Sequence, residues 1–529
     1  MPYRWETFPI QPEGGLVENI ASLRQGIELP GSAARLVNFE VSIDGGYRRI
    51  NGYTKFDPNI VTGTGLIYGV AYFEGDVIAV RNGNIYESTG AGWSAITSGR
   101  THTTKHRFHI INLNGTRKLI GVDGSNYPYS WDGSSFVDIN GSADVQGASH
   151  AAQFKDHIFY AKGDLVTFSV PFDETDFTVA DGAGNFRVED DVTGMFVFRE
   201  RLYVFTESSI MVLDGDSQVD WRLTSVTEDI GCIEPDTIQE VAGDVAFLSN
   251  DGVRLLGATD RTGDFSNQVT SRPVQQNFIE FQNDNYTTYA STVIRGKSQY
   301  RIFGWSQART AEATEGYAAT QFEAQNPMSF RWGELKGFKV YSIDSQIYQG
   351  SEYIVFATGD VPETGAGATD WANGGDWSFN GDWSLTEGEG GYVYVMESGP
   401  TYDGNNIAAQ YWTPYISFQD PTFRKTLYKL WAYYDPEGDV TGTLAINYDF
   451  NRSTAIQPEI ITFSQSGGGP VFGSAIFGTA TYGASTDDAV LETNVIGAGR
   501  NAQFQFTFDG GDPFIIDSIL IEYANEDRN

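Results

Sequence analysis

Residues 194–213 run Gly194-Met195-Phe196-Val197-Phe198-Arg199-Glu200-Arg201-Leu202-Tyr203-Val204-Phe205-Thr206-Glu207-Ser208-Ser209-Ile210-Met211-Val212-Leu213. β-Branched and aromatic residues fill three short runs, separated by only two or three polar residues. Turns that short join antiparallel neighbours, so the stretch reads as a meander. Trp221 to Val226 is available as its fourth strand.

The start of this unit recurs along the chain. An apolar residue, a short polar or Gly-containing turn and a new apolar strand start appear at Phe73-Glu74-Gly75-Asp76-Val77 and Phe154-Lys155-Asp156-His157-Ile158. They appear again at Phe198-Arg199-Glu200-Arg201-Leu202 and Val241-Ala242-Gly243-Asp244-Val245. With a looser copy at Leu113-Asn114-Gly115, the spacings are 40, 41, 44 and 43 residues; Ile294-Arg295-Gly296 and Tyr348-Gln349-Gly350 follow at 53 and 54. A period of ~40–50 residues with about four strands per repeat is the mark of a β-propeller, whose small sheets bury their faces only by packing radially.

The expected fold is therefore all-β. A propeller of six or seven blades spans 58–360, after an N-terminal arm at 1–57 that docks on a neighbour or closes the propeller. Residues 361–400 form a Gly/Trp-rich connecting segment with room for a closing strand, and 401–529 form a C-terminal antiparallel β-sandwich. There Phe504, Phe506 and Phe508 alternate with Gln503, Gln505 and Thr507, and Ile515 to Tyr523 reads as a buried last strand. The best helix candidate follows Ser271, with Pro273 in its first turn.

Composition narrows the function. The 529 residues carry 34 Lys+Arg against 69 Asp+Glu, a net charge of −35, which argues against a basic nucleic-acid-wrapping surface. Cys232 is the single cysteine, which excludes an intrachain disulfide and a Cys-rich metal site. The first residues lack the pattern of a secretory signal, and no apolar run approaches the ~20 residues of a membrane span.

Catalytic motifs are scarce. Ser42-Ile43-Asp44-Gly45-Gly46 matches half of a sialidase-type box once, then departs at Tyr47-Arg48-Arg49, and reads as a β-turn. No Gly-x-Ser-x-Gly elbow or phosphate-binding Gly-rich loop occurs. His102, His106 and His109 fall on a strand, where 106 and 109 face opposite ways, so they read as surface histidines. Asp214 to Asp220 resembles a calcium loop for three positions only, and Ser225 stands where a bidentate Glu belongs. Glu189-Asp190-Asp191 reads as a solvated loop. Trp371, Trp377 and Trp383, each preceded by Asp, could stack on sugar rings or pack under their own Gly-rich loop. No catalytic residue, metal site or cofactor is expected.

A family resemblance rests on motifs in order. Gly14-Gly15-Leu16, the run from Ile27 to Val41 (Ile-Glu-Leu-Pro-Gly-Ser-Ala-Ala-Arg-Leu-Val-Asn-Phe-Glu-Val) and Gly45-Gly46-Tyr47-Arg48-Arg49-Ile50-Asn51-Gly52-Tyr53 resemble the start of the β-propeller tail nozzle, or tail tubular protein B-like, proteins of tailed bacteriophages. Gly231-Cys232-Ile233 with Gly252-Val253-Arg254, the aromatic-Gly pairs at 472–483, and Ile496-Gly497-Ala498-Gly499-Arg500 resemble later parts of that family. The resemblance implies a structural virion protein, assembled in the host bacterial cytoplasm, forming a ring of six copies. The ring would continue the DNA channel below the head–tail adaptor, hold other tail proteins, and pass viral DNA through its lumen without specific binding. Arg48, Arg49, Arg424, Lys425 and Lys429 are the basic candidates for contacts between subunits of so acidic a ring, and Arg48 and Arg49 are also expected to hold the arm by pairing with acidic or backbone acceptors. The alternatives are a carbohydrate-binding or glycoside-hydrolysing propeller, and a tail-fibre or baseplate component.

Overall fold

The computed structural model describes residues 5–101, 104–113, 115–257, 269–283, 286, 288–306, 315–322, 329–358, 391–451, 457–465 and 489–526. The first blade consists of the strands Ile67–Phe73, Asp76–Arg81, Asn84–Ser88 and Ser94–Thr97, each antiparallel to the one before. Blades two, three and four repeat this plan at residues 107–138, 150–187 and 192–227, and a three-stranded blade five follows at 239–255. The fourth strand expected at Trp221 to Val226 is present as Arg222–Thr227.

Two further sectors complete the circle, both in sheets shared with the rest of the chain. Sector six contains Thr288–Ile294, Gln299–Trp305, Gly316–Gln321 and Phe330–Leu335. Sector seven contains Ser342–Tyr348, Ser351–Ala357 and Val393–Met396, the last being the closing strand from the connecting segment. First strands of neighbouring sheets touch in chain order, and Ser342–Tyr348 packs on Ile67–Phe73. At that seam Val70 N donates to Ser342 Oγ (3.0 Å) and Tyr72 N to Asp344 Oδ2 (2.9 Å). The ring is closed by polar side chains meeting free backbone groups, a need common to packed sheet edges.

The recurring four-residue signature is the hairpin turn between the first two strands of a blade. Its central residues have positive φ at Glu74-Gly75, Ala242-Gly243, Gln349-Gly350 and Arg199-Glu200. Such a turn matches the right-handed twist of the strands it joins, and glycine fits it without strain. Arg199 (φ 48°) and Glu200 (φ 62°) adopt it without glycine, at a cost of about 1 kcal/mol each.

The arm is woven into the C-terminal half rather than standing apart. Arg35–Val37 lies between Phe330–Leu335 and Ala409–Trp412, making one nine-stranded sheet that runs from sector six into the sandwich. Trp5–Ile10 and Tyr47–Arg49 both pair with the last strand, Phe514–Asn525, in the opposing seven-stranded sheet. Tyr53–Lys55 pairs with Val393–Met396 in sector seven. Phe504, Phe506 and Phe508 are buried between the two sandwich sheets with Phe39, Tyr411 and Phe514. The helix after Ser271 forms at Gln275–Asn283.

A second helix, Ser22–Glu28, lacked a sequence signal because Gly26 interrupts it and no side chain caps it. Gly26 is required there, since a Cβ would lie 2.0 Å from the Tyr415 carbonyl oxygen.

One buried charge ties these parts together. Glu40 is 2 % exposed and receives Lys297 Nζ (2.6 Å), Arg301 (2.9 Å) and Arg48 (3.3 Å). Arg301 also reaches Glu397 (2.7 Å), and Arg48 grips Glu437 through both carboxylate oxygens. Burial alone would raise the Glu40 pKa, yet Lys297, Arg301 and Arg48 hold it down to about 2.

Two outcomes are expected. Glu200→Gly removes one left-handed non-glycine residue from an exposed turn and stabilises the protein by about 1 kcal/mol in urea titrations. Glu40→Gln leaves three cations short of an anion and costs about 3–5 kcal/mol at pH 7. Because the folded Glu40 titrates below its free value, its contribution is complete above pH 4.5 and disappears as pH falls towards 2. The variant therefore loses less stability than the parent across that interval.

Candidate functional site: an ion cluster across the propeller axis

The inner strands bring long charged side chains from non-adjacent blades into one group. Lys105 precedes the first strand of blade two, Arg107–Leu113, and Arg107 opens it. Glu234 and Asp236 belong to the turn before blade five, and Thr288 and Tyr289 open sector six. Lys105 Nζ binds Asp236 Oδ2 (2.8 Å) and donates to Thr288 Oγ1 (3.2 Å) and the Tyr289 carbonyl (2.8 Å). Arg107 donates to both Asp236 oxygens (2.9 and 3.1 Å) and reaches Glu234 at 3.4 Å. Blade two touches blades one and three around the ring, so these bonds to sectors five and six cross the axis.

Electrostatics explains the pairing. Burial would raise the Asp236 pKa, but Arg107 and Lys105 hold it well below the usual carboxylate range. Glu234, with more desolvation than compensation and Asp236 close by, moves upward. Burial and the Arg107 charge push His150, at the start of blade three, down to about 3, so it is neutral here. Burial raises Tyr341, whose ring lies 5.7 Å from Lys105 Nζ, to about 12. Two cations meet two carboxylates, and each cation finds further acceptors. The arrangement holds blades together and offers no activated nucleophile. Cys232 donates its thiol to the Glu234 carbonyl (3.2 Å) and is pushed by burial up to about 12, far from a reactive thiolate.

The histidines differ from the surface assignment. His106 is 2 % exposed and hydrogen-bonds the Tyr129 hydroxyl (2.9 Å). His109 Nε2 accepts the Gln153 backbone N–H (3.0 Å), joining blade two to blade three, and burial lowers its pKa to about 4. His150 and His157 are buried as well. His109 lies on the strand Arg107–Leu113 and is half-buried, whereas His106 immediately precedes that strand and is buried against blade two. His102 lies outside the described residues.

Of the basic residues expected at subunit contacts, two face inward. Arg49 has no exposure, and its guanidinium donates to the carbonyls of Ile407 (3.1 Å), Pro400 (3.2 Å) and Gly511. Lys425 is equally buried, donating to the Asp420 carbonyl. Both hold this chain together, and neither can face a neighbour. Arg48 is engaged by Glu40 and Glu437. Lys429 pairs with Glu492 beside the Trp431 ring, and Arg424 is 61 % exposed near Glu526. Trp371, Trp377 and Trp383 lie outside the described residues, as do the aromatic-Gly pairs at 472–483.

Ser42 to Gly46 is the expected turn, joining Phe39–Val41 to Tyr47–Arg49. Asp214 to Asp220 is a turn between two blade-four strands, and Ser225 sits on the second of them. Among the described residues no group of three or more His, Cys, Asp or Glu is placed to hold a metal ion.

His150 supplies a test of the cluster. Its folded pKa lies below the free value of 6.5, so the unfolded chain binds the proton first and stability falls as pH drops from 6.5 towards 3. His150→Asn is expected to flatten that part of the stability–pH curve, measured by denaturant titration at fixed ionic strength.

No family model matches the chain, and no curated protein matches it. A solved structure titled "Crystal Structure of Mitotic Checkpoint Complex" is similar over 58 % of this chain and 91 % of that chain, at 9 % identity and a TM-score of 0.37. A likeness of that size carries no argument about function.

Proposed function

We propose that this chain is a structural protein of a phage tail, a nozzle or tail-tube component whose copies form a ring around a DNA channel. The observation that carries the reading is how the charged groups at the blade convergence are used. Lys105, Arg107, Glu234 and Asp236 neutralise one another across the axis and brace the blades. The shared nine-stranded sheet then joins propeller and sandwich into one block. Such a block suits a load-bearing part better than a substrate cleft that must open and close. The ordered motifs at 14–53, 231–254 and 496–500 support the family, and DNA would pass between copies rather than along the braced propeller axis.

Charge suits this passage. Six copies would carry roughly −210, and an acidic lumen gives DNA phosphates no cations to bind, so the duplex slides. Light scattering of the purified protein should give a discrete mass that is a multiple of 58.2 kDa, roughly 350 kDa for six copies, with a ring in electron micrographs. A monomer that turns over polysaccharide, with turnover abolished by one Asp or Glu substitution, would overturn the proposal in favour of a glycoside-hydrolysing propeller.

A further inference from the structure

Exposed apolar side chains gather at two places. The first is one end of the sandwich. Ile496 is 80 % exposed, Ile27 52 %, Tyr428 49 % and Phe450 42 %. They fall into two groups, which approach each other where Gly497 lies against Tyr448. Val495 N donates to the Tyr428 carbonyl, and the Tyr428 ring packs on Trp5 at 4.8 Å. Phe450 meets Tyr415 at 4.4 Å, and Tyr415 N donates to Ser22 Oγ at the start of the helix that carries Ile27.

The backbone that presents Phe450 is strained. Asp449, Phe450 and Asn451 all have φ between 49° and 61°, three consecutive non-glycine residues in the left-handed region. Asp449 fixes this turn by accepting from the Arg500 and Asn501 backbone N–H groups.

The rim of this end carries Arg24, Arg424 and Arg500. Arg24 and Glu28 neutralise each other, as do Arg424 and Glu526, and Asp449 accepts from backbone. The Arg500 guanidinium has no partner among the described residues.

The second place is the loops of blades three and four. Val219 is 93 % exposed, Val179 74 % and Phe172 48 %. Gln218 reaches the Ala183 carbonyl at 3.5 Å, and Gly182 lies against Pro171, so the three side chains share one surface. The same loops carry Asp173, Asp176, Asp181, Asp216 and Asp220, of which Asp216 is paired with Lys155. Blades three and four lie across the ring from sectors six and seven, from which the sandwich extends. The two surfaces therefore belong to different parts of the fold, one carrying the unpartnered Arg500 and the other a set of aspartates.

We propose that copies of this chain associate head to tail, the apolar sandwich end carrying Arg500 in one copy seated on the aspartate-bearing loops of blades three and four of the next copy. Charge complementarity selects the occupant. Between chains of net charge −35, a stable contact must join apolar surface and place the few available cations against acid. A contact between two different surfaces repeats from copy to copy and closes into a ring when the rotation permits. This inference rests on the ring-forming reading above and adds to it the surfaces that make the ring.

The test uses two variants of the full chain, altered only at exposed positions. Ile496→Asp with Arg500→Glu spoils the sandwich surface, and Val219→Lys with Asp220→Lys spoils the loop surface. Sedimentation velocity should show each variant alone as a monomer at concentrations where the parent assembles, at least about tenfold weaker in association, with unchanged melting. Mixed in equal amounts, the two should form a dimer and nothing larger, because one intact surface of each kind remains. Assembly of either variant alone like the parent would overturn this contact and leave the ring reading standing. Monomeric variants whose mixture also stays monomeric would overturn the head-to-tail arrangement. A parent that is monomeric throughout would overturn both.

Discussion

Glu40 is the point at which the chain becomes one body. Its carboxylate belongs to the N-terminal arm, and its partners come from the next strand and from sector six; through them Glu397 beside sector seven and Glu437 of the sandwich join the network. A carboxylate removed from water is unfavourable unless several cations approach at once. They approach only when arm, propeller and sandwich are all in place. The network thus makes the docking of three regions a single condition, and the shared sheets carry the same constraint through the backbone.

A second set of charges does comparable work at the other extreme of the propeller. Lys105 and Arg107 cross the axis where seven sheets converge, and Asp236 answers both. Ring-shaped packings have a weak centre, because inner strands diverge from it and leave room that apolar side chains fill poorly. Long cations reach across that room, and paired carboxylates keep them satisfied.

The local chemistry of the blades was readable from the residues. Two-residue turns, β-branched runs and a period near 42 residues need no distant partner, so Phe198-Arg199-Glu200-Arg201-Leu202 announces its own hairpin. What could not be read is whatever depends on pairing over hundreds of residues. Arg35–Val37 and Tyr47–Arg49 look like an arm because nothing adjacent accounts for their hydrogen bonds, and only the folded chain supplies Trp412 and Ile515 as partners. The same limit misjudged Lys425, whose acceptor is a carbonyl that leaves no trace in a side-chain pattern, whereas Arg49 binds the backbone acceptors expected of the arm's arginines. His109 was assigned correctly to a strand, whereas His106 falls just before it and is buried, since alternation distinguishes two faces but not what covers them. The axial cluster left one faint signal, Lys105-His106-Arg107 at a strand start in an otherwise acidic chain.

The weaving of the arm into the last strand also sets a timetable. Tyr47 is made early, yet its partner Ile516 leaves the ribosome some 470 residues later, roughly half a minute to a minute and a half at ordinary elongation rates. Blades one to five have complete sheets of their own and can form while the ribosome is still working. Trp5–Ile10 and the outer edge of Tyr47–Arg49 must wait through that interval. Nascent chains on one polysome expose the same waiting segments side by side. A product lacking the final strand would leave Trp5–Ile10 and one edge of Tyr47–Arg49 without their pairing partner.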